Sequence, residues 1–369
     1  MHTSFLIIVA VSYTGFFQNP ESGKLERLIS NLRGYESLYA NVELEGTKTY
    51  ESDDEFPIHE NQFKSIKNTF KSVFQNDMIY GELLGTGLTI KGLKYTFDTY
   101  AGYDGEKTRF SEHLEFGNVV IGKGRIGIVV RPHGFLLNES RVHFPLADLL
   151  SNSPSLKFTS YDFRENETEY LGEDTFNGYS CIKVRIHTWH RSLGRDSDSP
   201  IDLWLATDRN LIPVHMEGYR FYDGTFLMIE IGSVDGFKEI ETGVWYPTSS
   251  RSEIYDYSWE KPISANTRRL TGKWTHAINK INLNPNYPKE FFSNIKMPDG
   301  VPVWVLKDKK HIGSYIQGLP NNTESTSKKK RISVSAVVAI GLLSAIIISF
   351  LLYRNRRRSS IVFNNPRLI

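Results

Sequence analysis

Residues 179–189 read YSCIKVRIHTW, and their alternation decides the fold. Ile182, Val184 and Ile186 fall on one face of an extended chain, while Cys181, Lys183, Arg185 and His187 fall on the other. A helix would instead gather its apolar residues at spacings of three and four, so this stretch is a strand with two unlike faces. Asn177-Gly178 just before it supplies the pair that accepts positive φ in a tight hairpin turn. Outward from here the same period recurs, as in Ala40, Val42 and Leu44 alternating with Asn41, Glu43 and Glu45. It recurs again in 94–100, 156–163, 201–206, 214–221 and 225–231. Asp104-Gly105, Asp223-Gly224 and Asp235-Gly236 mark further turns, and hairpins in sequence imply an antiparallel sheet. The fold class is mainly β (α+β).

Two helices interrupt the pattern. Leu25, Leu28, Ile29 and Leu32 recur at helical spacing between Pro20 and Gly34, where the glycine is expected to end the helix. Pro145 stands at a first-turn position ahead of Leu146, Ala147, Leu149 and Leu150, predicting a short internal helix. Residues 192–200 read as an exposed polar loop. Beyond Pro285 the prolines at 288, 298 and 302 predict an irregular extension over 285–318. No repeat of 20 to 50 residues stands out, which argues against a solenoid or propeller.

Ile332 to Tyr353 contains no charged residue and is long enough to cross the ~30 Å apolar layer of a bilayer as one helix. Lys328, Lys329, Lys330 and Arg331 precede it and Arg354, Arg356, Arg357 and Arg358 follow, fitting it as a membrane anchor pinned at both lipid surfaces. At the other end, Phe5 to Val11 suits the core of a secretory signal within 1–18, although no basic residue precedes it; the alternative is a buried strand. The expected order is a signal peptide (1–18), an ectodomain (19–284), the extension (285–318) and a polar, basic tether (319–331). A transmembrane helix (332–353) and a basic cytoplasmic tail (354–369) complete it.

The net charge of +2 conceals an asymmetry. Nine of the 44 Lys and Arg lie in 328–369, where no Asp or Glu occurs, leaving 35 against 42 and a net of −7 elsewhere. That sign disfavours a nucleic-acid partner. Cys181 is the only cysteine, so neither an internal disulfide nor a cysteine zinc site can form. Its neighbours Lys183 and Arg185 predict a reactive thiolate.

Four pieces, in order, resemble the family of envelope lipoprotein carriers and receptors that includes LolA, LolB and RseB. They are Tyr103-Asp104-Gly105-Glu106-Lys107, then Gly172-Glu173-Asp174 with Asn177-Gly178 and Tyr179-Ser180-Cys181, then Leu203-Trp204-Leu205 with Leu211-Ile212-Pro213, then Gly243-Val244-Trp245-Tyr246-Pro247. The resemblance covers roughly 23–255 and implies a strongly curved antiparallel sheet. Such a sheet forms an unclosed barrel, with helices lidding an apolar concave face. It implies a fold more than an activity, because these motifs are turns and strands. A spanning anchor also departs from carriers that must diffuse.

Gly122-Lys123-Gly124-Arg125-Ile126-Gly127 fits a dinucleotide fingerprint, but Ile128 to Arg131 reads as strand where a helix N-terminus would be needed. His187 and His190 point to opposite faces, which disfavours a shared metal. Glu165, Glu167 and Glu169 share a face and read as a charged sheet edge that discourages pairing. Asn138, Asn166 and Asn321 each head a glycosylation acceptor pattern that matters only on a eukaryotic secretory route. No catalytic motif occurs, and no cofactor or metal is expected. The aliphatic face defined by Ile182, Val184 and Ile186 continues through Leu203 and Leu205, Leu227 and Ile229, Tyr95 and Phe97, and Val42 and Leu44. These residues either line a hydrophobic ligand cavity or pack as ordinary core, and sequence leaves both open. The expected function is a membrane-anchored extracytoplasmic domain, non-catalytic, binding a lipid, lipoprotein or partner protein. An exported envelope hydrolase and a structural surface protein are the alternatives.

Overall fold

Hairpin follows hairpin through most of the chain. The computed structural model describes residues 20–318 except 53–62, 114–117, 123–130, 138–144, 153–163, 258–267, 308–309 and positions 191, 193, 223, 298 and 301. The expected signal, tether, anchor and tail lie outside these residues, as do the glycine motif from 123 onward, the strand at 156–163 and the acceptor sites at Asn138 and Asn321. Among the described residues no helix is long and apolar enough to cross a membrane.

One helix, α1 (Pro20–Ser37), leads into β1 (Val42–Ser52), β2 (Phe63–Gln75), β3 (Met78–Thr89), β4 (Lys94–Tyr103), β5 (Thr108–His113) and β6 (Asn118–Gly122). A 3-10 turn (Pro132–Phe135) and α2 (Leu146–Leu150) follow. Then come β7 (Arg164–Phe176), β8 (Tyr179–His190), β9 (Ile201–Ala206), β10 (Ile212–Tyr222), β11 (Thr225–Glu241), β12 (Val244–Tyr257) and β13 (Arg268–Leu283). The chain continues through α3 (Lys289–Ser293), β14 (Pro302–Lys307) and β15 (Lys310–Ile316). All strands join one open sheet in the order 15-14-6-5-4-3-2-1-13-12-11-10-9-8-7. Every pairing is antiparallel except β14 with β6.

Three expectations need correction. α1 does not stop at Gly34 but runs to Ser37, whose hydroxyl donates to the Gly34 carbonyl at 2.6 Å. A glycine ends a helix only where it adopts positive φ, and Gly34 does not. Asp235-Gly236 is not a turn but part of a bulge inside β11, where a Cβ on Gly236 would come within 2.9 Å of Thr248 Oγ1. The extension is not irregular: Pro288 caps α3 and Pro302 opens β14, positions where a missing N–H costs no ladder bond.

The sheet has two covered faces. On the inner face α1, α2 and residues 136–137 press Leu28, Leu32, Leu136, Leu146 and Leu149 onto Val184, Ile186, Leu203, Leu205 and Met216. α1 is ~27 Å long at ~1.5 Å per residue, about the ~24 Å that separates β7 from β12 at ~4.8 Å per strand. It therefore reaches from Tyr170 on β7, where Lys24 lies over the ring, to Tyr39, whose hydroxyl donates to the Trp245 carbonyl of β12. Glu36 near its end accepts from the Leu146 and Ala147 amides and so fastens α2 beside it. On the outer face α3 packs Phe292 and Ile295 on Val73, Tyr80 and Tyr100. Gly102 makes room for that approach, since a Cβ there would stand 2.3 Å from the Phe292 carbonyl.

Candidate functional site

Strict alternation on β2 puts Phe70 and Phe74 on the inner face and Val73 on the outer, and the cross-strand register carries this division along the sheet. One transverse inner row runs Tyr95, Gly87, Ile66, Tyr50, Trp274 and Ser252 across β4, β3, β2, β1, β13 and β12. It continues through Gly232 and Met216 to Leu203 and Val184. The candidates Tyr95, Leu203 and Val184 thus share one face.

They do not share one environment. Val184, Ile186, Leu203 and Leu205 are buried beneath α1 and α2, with Ile182 half-buried at their margin. Val42 and Leu44 belong to a second cluster with Tyr39, Phe70, Phe135 and Tyr246. Tyr95 is half-buried, edge-on to Phe63 at 5.9 Å, and Phe97 pairs with Gly85 in the ladder. Leu227 is buried opposite Arg220, whereas Ile229 is the extra residue of a bulge between the pairs Met228–Tyr219 and Glu230–Gly218. Alternation across β11 is broken there, which is why Leu227 and Ile229 do not act together.

The adjoining inner row is polar. Gly85, Asn68, Lys48, His276 and Ser250 stand side by side on β3, β2, β1, β13 and β12. Phe135 plugs one end: its carbonyl accepts from Ser250 Oγ at 3.0 Å and its ring meets His276 edge-on at 5.8 Å. Burial, aided by the Lys48 charge, pushes the His276 imidazole down to about 3, so it is neutral at physiological pH. In the middle of the row Lys48 Nζ lies 4.2 Å from the Trp274 ring centroid, and Tyr50 packs against the same indole at 4.7 Å. Around them Tyr50, Ile66, Leu83 and Trp274 keep part of their surface exposed.

This face also gathers unsatisfied polar atoms. Among the described residues, the buried side-chain oxygens without a hydrogen-bond partner are Ser52 Oγ, Asn68 Oδ1, Ser72 Oγ, Asn166 Oδ1 and Thr168 Oγ1. Ser52, Asn68 and Ser72 share the inner face with Leu44 and Phe70 on β1 and β2, and Asn166 and Thr168 share it with Ile186 across β7 and β8. A buried polar group left alone costs roughly 1–3 kcal/mol, a cost carried at two separate places, on β1 and β2 and on β7 at the far edge of the sheet. No sequence signal marks them, because the row joins Asn68 to His276 only through the ladder. Burial of Asn166 also places that acceptor pattern inside the fold.

Beside its apolar clusters the outer face carries buried ion pairs. Asp202 receives Arg185 at 2.6 and 2.9 Å and Lys183 at 3.2 Å. Those two cations are therefore engaged with Asp202 instead of activating Cys181, which is buried with Trp204, Ala206 and Val214. Burial pushes its thiol up to about 11, overturning the expected reactivity. His187 sits 2.5 Å from Asp198 through Nδ1 and 3.8 Å from Glu169 through Nε2, pinning residues 194–200. Asp198 also accepts from the Thr188 amide. Glu43 is buried among Lys71, Lys280, Asn282 and Tyr287; burial lifts its pKa, but these hydrogen bonds prevail and bring it to about 2.

An open antiparallel sheet, lidded by helices on its apolar inner face, is the class of architecture these elements define. The motif pieces fall on its turns, bulges and strands. Asp104 accepts from the Glu106 and Lys107 amides, Gly172 and Gly243 adopt positive φ, and Asp174 accepts from the Trp204 indole. No protein-family model matches the chain, and no curated protein matches it. Among solved structures it is similar to a DUF1329 family protein from Desulfovibrio piger, with 11% identity, a TM-score of 0.39 and coverage of 74% of this chain and 97% of that one. It is likewise similar to a putative outer membrane lipoprotein-sorting protein domain from Vibrio parahaemolyticus (10%, TM-score 0.39, 73% and 97%). A third is the lipoprotein LppX from Mycobacterium tuberculosis (11%, TM-score 0.25, 72% and 98%). At those scores nothing about function passes from them to this chain.

Proposed function

We propose that the described domain is a non-catalytic, extracytoplasmic binding domain for a lipid or the acyl chain of a lipoprotein, held at the membrane by residues 332–353. The signal at 1–18 and a cytoplasmic tail at 354–369 complete this arrangement. The observation that carries the reading is the inner face itself, where half-exposed Tyr50, Ile66, Leu83 and Trp274 adjoin buried oxygens that lack a partner. Apolar surface gains ~25 cal/mol per Å² when covered, and the orphaned oxygens gain a hydrogen bond, so an amphiphile answers both needs at once. Water alone would answer only the second.

The test is lipid extraction and mass spectrometry of the soluble segment 20–318, purified without detergent, beside Ile66→Arg. Ile66 keeps exposed surface on the inner face, so the charge should deplete bound lipid severalfold while shifting the unfolding midpoint by no more than about 2–4 °C. Lipid absent from the unsubstituted segment, or equal in both, would count against the reading.

A further inference from the structure

Seven large apolar side chains are exposed among the described residues, and five of them, Ile90, Leu93, Tyr222, Phe226 and Ile316, lie at one end of the sheet. Strand direction puts them there. β3 reaches this end and β4 leaves it, so Ile90 and Leu93 form the tip of their hairpin. β10 and β11 turn at the same end through Tyr222 and Phe226, and β15 finishes there with Ile316 opposite Pro302. Hairpin tips are normally polar, which makes apolar ones informative. The β3–β4 tip is also firmly built: the Thr89 amide donates to the Leu93 carbonyl at 2.9 Å, and the Leu93 amide donates to the Thr89 hydroxyl at 3.1 Å. Leu93, 52% exposed, is thereby held outward.

The chain leaves the sheet at this same end. Residues 319–331 follow β15 and lead into the apolar run 332–353, and they span at most ~45 Å at ~3.5 Å per residue. Resting on the membrane-anchored reading, we propose that this end of the sheet docks on the lipid bilayer, with Leu93 and Phe226 entering among the headgroups. The two hairpins stand six strands apart, ~29 Å along the sheet at ~4.8 Å per strand. Separated tips along one rim suit a plane, whereas a peptide partner would take one continuous groove. Tyr222 adds a ring with an apolar body and a polar tip, the kind of side chain that settles at headgroup level. Each tip buries little by itself, but the tether keeps the bilayer at high effective concentration, so weak insertion suffices. Docking in this way has a consequence for the inner face. Tyr95, Ile66 and Tyr50 lie within three residues of the ends of β4, β2 and β1 at this rim, so the half-exposed row opens beside the lipid from which an amphiphile would enter.

The experiment places the full-length chain, with Cys181→Ala, in phosphatidylcholine nanodiscs that contain doxyl-labelled phosphatidylcholine as a fluorescence quencher. A nitrobenzoxadiazole fluorophore is attached in turn to Leu93→Cys, Phe226→Cys, Leu38→Cys and Ser327→Cys. Leu38 is exposed just before β1, at the opposite end of the sheet, and Ser327 lies in the tether. Labels at 93 and 226 should be quenched severalfold more than the label at 38, and the label at 327 should be quenched in every case. Adding Leu93→Asp should lower the quenching at 226 severalfold and leave that at 327 unchanged, because the tether needs no docked rim. Quenching at 93 and 226 no greater than at 38, with 327 quenched, overturns the docking and leaves the anchor standing. Unchanged quenching at 226 in Leu93→Asp would mean that the label itself seeks lipid, and it also overturns the docking. Quenching at no position overturns docking and anchor together. The lipid-extraction test reads the inner face alone, so a negative result there is separate from any of these.

Discussion

At the scale of single residues, burial decides reactivity and charge more strongly than sequence neighbours do. Cys181 illustrates this: two cations flank it in sequence, yet both turn to Asp202 and the thiol is pressed among Trp204, Ala206 and Val214. A maleimide should therefore label Cys181 only after denaturation, read by intact-mass spectrometry with and without guanidinium; rapid labelling of the folded chain would mean that this face is uncovered. Two buried groups set the acid response. His276 titrates at about 3 when folded against 6.5 when free, so the unfolded chain binds the extra proton and stability falls as pH drops from about 6.5 toward 3. Glu43, depressed from 4.5 to about 2, adds stability that is present above pH 4.5 and is lost as pH falls toward 2. His276→Asn should flatten the first part of a urea-denaturation series between pH 6.5 and 4.5, and Glu43→Gln only the part below. A series in which neither variant changes the slope would refute the assignment. The opposite faces of Ile182 and Cys181 were legible because alternation is a local property. The Lys183 and Arg185 partners were not, since Asp202 is brought alongside only by the β8–β9 pairing.

At the scale of elements, the lidded half of the sheet is buried beneath α1 and α2. Val184 is fully buried among Leu28, Leu32, Leu149 and Leu203, so Val184→Phe should cost about 1–3 kcal/mol of stability, visible as a lowered thermal midpoint. A variant as stable as the parent would show spare volume under α1. Helix periodicity revealed α1 and the proline revealed α2, because each signal lies within a few residues of its effect. Gly34 and Gly236 misled for the complementary reason. A glycine marks a turn only when φ is positive, and whether it instead eases a close approach depends on chain far away, as Thr248 does for Gly236. Asn76 and Asp77, both with positive φ between β2 and β3, make a turn without glycine and so left that hairpin unsignalled.

At the scale of the whole molecule, the sheet is a surface with two characters. Its outer side closes on itself through Asp202, Glu43 and α3, and its edge at β7 exposes Glu167 and Glu169, which resist pairing with another sheet. Its inner side is sealed under α1 and α2 but presents aromatic and unsatisfied polar groups between β4 and β12. Antiparallel architecture was legible from turns and alternation. The polar row was not, because it is assembled from residues more than 200 positions apart, Asn68 and His276, by strand order alone. Two tryptophans mark the faces, Trp274 on the inner and Trp204 on the outer. The direct test of the central claim is titration of the full-length chain with a bromine-labelled fatty acid, which quenches an indole that it touches. The account predicts quenching that disappears in Trp274→Phe and persists in Trp204→Phe. Quenching that persists in Trp274→Phe and disappears in Trp204→Phe, or no quenching at all, would contradict it.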